Sequence, residues 1–155
     1  MTESTGQNSR STAKGPMLEK SKAFAIKVIL LVQGLVAQHR EFVLSRQILR
    51  SATSIGANLR EARGAQSLAD FLSKQSIALK EAYETEYWIE LLGETGYLSP
   101  DGNNALLDDI YELISMLTKS VMSLKNKINN GYSEMICHDS SDTYLPNDFI
   151  PPDNF

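Results

Sequence analysis

Residues that carry chemistry are scarce in this chain. A single cysteine, Cys137, excludes an intramolecular disulfide and any cysteine-based zinc cluster. The two histidines, His39 and His138, do not follow a glutamate by three residues, so the Glu-x-x-His pairs that a di-iron site in a helical bundle requires are missing. Cys137 and His138 read as chance neighbours in a tail rather than as a reactive site. No glycine-rich phosphate loop, no Cys/His nucleophile pair and no Ser/His/Asp arrangement stands out. These absences argue against an enzyme and against a bound metal or cofactor. No uninterrupted apolar run approaches the roughly 18 residues of a membrane span. The opening "MTESTGQNSRSTAKGP" also lacks the apolar core of a secretory signal. The expectation is therefore an intracellular, cytoplasmic protein with no membrane partner. Period-two alternation is absent as well, which leaves little room for strands.

What is present is helical periodicity. A chain of 155 residues suits one domain with a real core. Residues 1–16 are polar and rich in Ser, Thr, Gly and Asn, the composition of a disordered segment. Pro16 suits the first turn of a helix over about residues 17–38. Second and third helices are expected over about 42–64 and 68–94, and a fourth over about 104–129, capped by Asp101 or Asn103 and stopped by "INNGY". Four long helices with short links make an all-α, up-down-up-down antiparallel bundle of residues 17–130 the natural architecture. Residues 131–155 read as an acidic flexible tail, or alternatively as an aromatic, acidic motif that docks elsewhere. Glu134, Asp139, Asp142, Asp148 and Asp153 lie between Gly131 and Phe155 with no Lys or Arg. The net charge of −4 thus comes from the tail, because from Met17 to Asn130 the 13 basic and 13 acidic residues cancel. Local charge patterning matters more than the total.

The second helix, "LSRQILRSATSIGANLREARGAQ", is the most informative stretch. With Arg46 set at zero and about 100° per residue, Arg50 falls near 40°, Arg60 near 320° and Arg63 near 260°. Leu44, Ile48, Ala52, Ile55, Leu59 and Ala62 lie on the opposite side and form a core stripe. Gly56 sits where the two faces meet, so a neighbouring backbone can approach closely there. The arginine row admits two explanations. Forked guanidiniums that cannot lose their charge are what phosphate recognition needs; equally, they can pair with glutamates of another helix, to small effect at a surface.

The third helix is apolar over more than one side: Trp88, Ile89 and Leu92; Leu72 and Leu79; and Tyr83, Tyr87 and Leu91 point in different directions. One four-helix core cannot cover all of that, which implies a second interface with another subunit. Gly56, Asn58, Glu81, Glu84, Tyr87, Trp88 and Leu91 are the candidate structural or oligomer-interface residues. Glu81 and Glu84 border the apolar arc and are the candidates to receive an arginine from the second helix.

The motifs "RSATSIGANLREA" and "IALKEAYETEYWIELL", in that order, give the chain its resemblance. Over about residues 20–128 it resembles the four-helix-bundle family encoded in intervening sequences of bacterial 23S ribosomal RNA genes. The resemblance implies an up-down bundle that assembles as a ring, commonly a pentamer, and marks Arg50, Ser54, Asn58, Glu61, Glu81, Glu84 and Trp88 as signature positions. A distant relative of the same architecture is the accessory variability protein of diversity-generating retroelements, whose basic surface assists a reverse transcriptase. Two functions therefore stand side by side. One is a non-enzymatic homo-oligomer that binds RNA or DNA phosphates through Arg46, Arg50, Arg60 and Arg63, as an accessory to a reverse transcriptase or another nucleic-acid enzyme. The alternative is a protein–protein interaction scaffold whose arginines pair structurally with glutamates. In a further variant of the first, the acidic tail folds over the arginines and suppresses binding.

Overall fold

Each helix starts and stops for a local reason. In the computed structural model, which describes residues 15–138 and the side chains of residues 15–131, α1 spans Pro16–His39 and begins with the expected proline. It ends at Arg40, whose backbone is left-handed with φ 52°; its N–H bonds to the Val36 carbonyl at 3.1 Å, and that of Glu41 reaches Leu35 at 3.4 Å. α2 spans Val43–Ala62. Its cap comes from outside the helix: the Glu41 carboxylate accepts the N–H groups of Val43, Leu44 and Ser45 at 2.7–2.8 Å. Burial pushes that carboxyl up, but the amides of Leu44, Ser45 and Val43 and the Ser45 hydroxyl outweigh it and hold the group below the ordinary glutamate value.

α3 spans Leu68–Glu94. Ser67 caps it by accepting the Asp70 N–H at 3.1 Å, while Asp70 reaches back to the Gln66 N–H at 3.2 Å, a reciprocal arrangement that satisfies two amides. α4 spans Pro100–His138, longer at both ends than the residue pattern predicts. At its start, Ser99 displaces the expected caps Asp101 and Asn103: its hydroxyl accepts the Gly102 N–H at 3.2 Å, and Pro100 behind it has no N–H to satisfy. Asn103 instead packs on α3, where its amide occupies the space a Cβ on Gly93 would need. At the far end, "INNGY" does not stop the helix. Glycine inside a helix costs only about 1 kcal/mol, and no proline follows until Pro146.

Links at residues 40–42, 63–67 and 95–99 make successive helices antiparallel. α2 packs on α1 and α3, and α4 on α3 and α1; the backbones of α1 and α3 do not approach, and the two helices meet only across the core. The result is the all-α four-helix bundle, with α1 and α3 on a diagonal. Phe24, Val28 and Leu35 of α1, Ile48, Ile55 and Leu59 of α2, Ile89 and Leu92 of α3, and Ile110, Leu113 and Leu117 of α4 fill its core. Ala62, Phe71 and Leu124 close one end. The stripe read from α2 is the core-facing stripe, with Leu44 half-buried at its start.

α1 departs from expectation. By length and composition it is apolar enough to cross a membrane, with a mean hydropathy of 1.4 over 18 residues of which 22% are buried. Uninterrupted runs do not reveal this, because Lys22 and Lys27 punctuate a segment that is apolar on several sides. Lys20 and Lys27 pair with Glu112 and Asp109 of α4, both at 2.6 Å, while Ile26 and Leu30 face outward at 48% and 62% exposure.

Candidate nucleic-acid interface

The four arginines of α2 and its C-cap do not form one site, because α2 has a different neighbour on each flank. On the α3 flank, Arg50 donates to Glu84 at 2.5 Å, and Glu84 also accepts the Trp88 indole N–H at 3.2 Å. Glu81 stands beside them, half-buried, with one carboxylate oxygen buried and unpartnered among the described residues. Burial, and then the Glu84 charge, raise the Glu81 carboxyl above its ordinary value, and Arg50 offsets this in part. Beneath this group the buried Thr85 hydroxyl lies 2.9 Å from that of Ser51 and 2.7 Å from the Glu81 carbonyl, so one proton serves two acceptors. Further along the same flank, Glu61 accepts from Lys74 at 2.5 Å, which raises the lysine pKa. Arg50 and Lys74 on this flank therefore each face a carboxylate.

The other three arginines are different. Arg46, Arg60 and Arg63 are exposed and have no ion-pair partner among the described residues, and of the three Arg60 lies on the α1 flank. Arg60 overhangs a groove of about 190 Å³ between α1 and α2, which Lys22 borders from the opposite wall. Gly56 forms part of its floor. A Cβ on Gly56 would sit 3.3 Å from the Oγ of Ser21, a fully buried residue whose hydroxyl donates to the Leu18 carbonyl at 2.9 Å. The glycine thus serves the approach of α1 within one subunit.

The remaining candidates are scattered. Asn58 turns back on its own helix and donates to the Ser54 carbonyl at 2.9 Å. Tyr87 is 53% exposed and tilts against the half-buried Trp88, with ring centroids 5.0 Å apart; Leu91 is half-buried. The structure brings together Arg50, Glu81, Glu84 and Trp88, and leaves Arg60 at the groove with α1. His39, expected in a linker, closes α1 and meets the Tyr97 ring edge-on at 5.3 Å. Among the described residues no cluster of His, Cys, Asp and Glu could hold a metal ion.

Three contributors are not visible to sequence reasoning. Lys22 is hidden because its partnership with Arg60 joins two helices. Glu41 reads as linker. The outward-facing Ile26 and Leu30 are masked in a helix that is apolar on several sides, and Phe42 and Val43, 55% and 72% exposed, stand at the start of α2. The adjacent apolar "FVL" of residues 42–44 is the available signal, because one helix face cannot bury three consecutive side chains.

Residues 15–119 match a family model described as 23S rRNA-intervening sequence protein. The chain is also similar to a crystal structure of a protein with unknown function from the S23 ribosomal protein family of Bacteroides thetaiotaomicron VPI-5482. The two are 48% identical with a TM-score of 0.67, over 68% of this chain and 97% of that one. No protein of curated function matches.

Proposed function

The chain belongs to the family of 23S rRNA-intervening sequence proteins, and from that premise we propose that it is a non-enzymatic, homo-oligomeric bundle that binds RNA or DNA phosphates and acts as an accessory to a nucleic-acid enzyme such as a reverse transcriptase. The observation that carries the binding half is that Arg46, Arg60 and Arg63 are exposed without a carboxylate partner among the described residues, Arg60 on the α1 flank of α2. Arg50, by contrast, commits its guanidinium to Glu84. Unpaired guanidiniums in a row keep their donors for an external anion.

The assembly half is supported by two exposed apolar faces on the diagonal of the bundle. Ile26 and Leu30 lie on α1, and Tyr83 and Tyr87 on α3 at 49% and 53% exposure. Faces on opposite sides of one subunit favour a head-to-tail contact, and head-to-tail contacts that close make rings, with a pentamer as one such closure. The alternative scaffold reading draws support from Arg50 and Glu84, a structural arginine–glutamate pair at the place it requires.

The test is RNA binding measured against salt for the wild type and an Arg46/Arg60/Arg63→Ala variant. Phosphate contacts give a steep negative slope of log affinity on log salt, shallower in the variant by about one for each phosphate no longer neutralised. Equal binding by both proteins, or none by either, leaves the scaffold reading standing.

A further inference from the structure

We propose that the groove between α1 and α2 seats one phosphodiester group of a nucleic-acid strand, clamped between Lys22 and Arg60. The proposal rests on the nucleic-acid reading above and narrows it from a helix face to one place.

Three observations select the groove. First, the cations are divided by flank. Arg50 is committed to Glu84 and Lys74 to Glu61, whereas Lys22 and Arg60 have no ion-pair partner among the described residues. Second, two different helices supply the pair, one from each wall of a concave space of about 190 Å³. An anion entering there meets donors from both sides, which a single exposed helix face cannot offer. Third, the groove hydroxyls are already engaged: Ser21 donates to Leu18, and Thr53 to the Leu49 carbonyl at 2.7 Å or that of Arg50 at 3.2 Å. No other side chain lining the groove has a free proton to donate, so the ligand must be one that two cations satisfy.

Charge then sets the ligand class. Two cations with no other free donor beside them suit the single negative charge and two non-bridging oxygens of a phosphodiester, whereas a free phosphate dianion, with three charge-bearing oxygens, would find no third donor there. The Arg60 guanidinium can take two non-bridging oxygens side by side, and the Lys22 ammonium acts as a point charge across from it. The ester links leave along the open length of the groove. Gly56, bare at the floor, leaves that space clear; any larger residue there would project towards Ser21 and into the groove.

The test uses the full chain and a fluorescently labelled single-stranded RNA, with anisotropy read at stepped salt concentrations. Lys22→Gln and Arg60→Gln together should weaken binding about tenfold or more and reduce the salt slope by about one, because the two cations share one phosphate. Arg50→Gln should leave the slope unchanged. The opposite pattern, with the Lys22/Arg60 variant matching wild type while Arg50→Gln weakens binding, overturns the groove. Both groove positions are exposed, and circular dichroism checks that the variants fold. A second arm separates the groove from the reading it rests on. In wild type, dimethyl phosphate should move the backbone amide resonances of Thr53 and Gly56, and inorganic phosphate should move them less. Those shifts without RNA binding support the groove and contradict the nucleic-acid reading; no shift at either amide overturns the groove.

Discussion

Glu41 shows how much one side chain outside a helix can decide. It accepts three of the amides that α2 leaves unsatisfied at its first turn, where the helix dipole also favours a negative charge. Glu41→Ala should lower stability by about 1 kcal/mol, the ordinary cost of losing a cap, measurable by urea denaturation at neutral pH. Because the folded-state pKa of Glu41 lies below its unfolded value, the stabilisation is complete above the unfolded value and is lost as pH falls through the folded one. Wild type and variant should therefore converge in acid. Glu81 has the opposite sign. Its carboxyl is raised by burial and by Glu84, so it costs stability as pH rises through the glutamate range, and Glu81→Gln should raise the melting temperature at pH 7 more than at pH 4. A melting temperature lowered equally at both pH values would contradict this. Neither effect is legible in the sequence, since each depends on which amides or carboxylates share the space around one oxygen.

At the scale of the helix, legibility follows amphipathicity. α2 separates its faces cleanly, so its core stripe and arginine side can be read from spacing alone. α1 does not, and its exposed Ile26 and Leu30 are hard to tell from Phe24 and Val28. The start of α4 differs from expectation because cap preference favours Asp101 and Asn103 by type, whereas Ser99 wins by standing directly before a proline. The arginine row is legible as a row but not as two flanks, because angles about one axis say nothing of what the neighbouring helix presents. Arg50 is where this matters most. Arg50→Ala removes a pair that is 56% and 32% exposed on its two sides, so the expected loss is small, at most about 1 kcal/mol. The clearer signal is optical: Glu84, released from Arg50, changes the environment of the Trp88 indole it accepts from, and the tryptophan emission should shift. Unchanged emission with reduced RNA affinity would mean that Arg50 serves phosphate rather than glutamate.

For the whole molecule, the fold class and the four-helix order are readable from the residues, and the covering of two faces is readable only for α3. The diagonal placement of the α1 and α3 faces comes from packing, and it makes a specific demand on assembly. In a head-to-tail ring each face meets the other, so a charge on either should break every subunit interface. Leu30→Glu and Tyr87→Glu should each reduce the solution mass, measured by sedimentation, from a multiple of the 17.2 kDa chain to one chain. A wild-type mass of one chain would remove the ring. A mixture of the two variants offers one intact α1 face and one intact α3 face, and should form dimers that neither forms alone.

The central claim is that the α1 flank of α2 recognises phosphate. The most direct measurement is the affinity of the wild-type protein for single-stranded RNA as salt rises from about 50 to 200 mM, a range over which several phosphate contacts weaken binding many-fold. We expect log affinity to fall linearly with log salt, with a slope that drops by about one when Lys22 and Arg60, which share one phosphate, are neutralised. A flat salt dependence, or no binding at the lowest salt, would contradict the account.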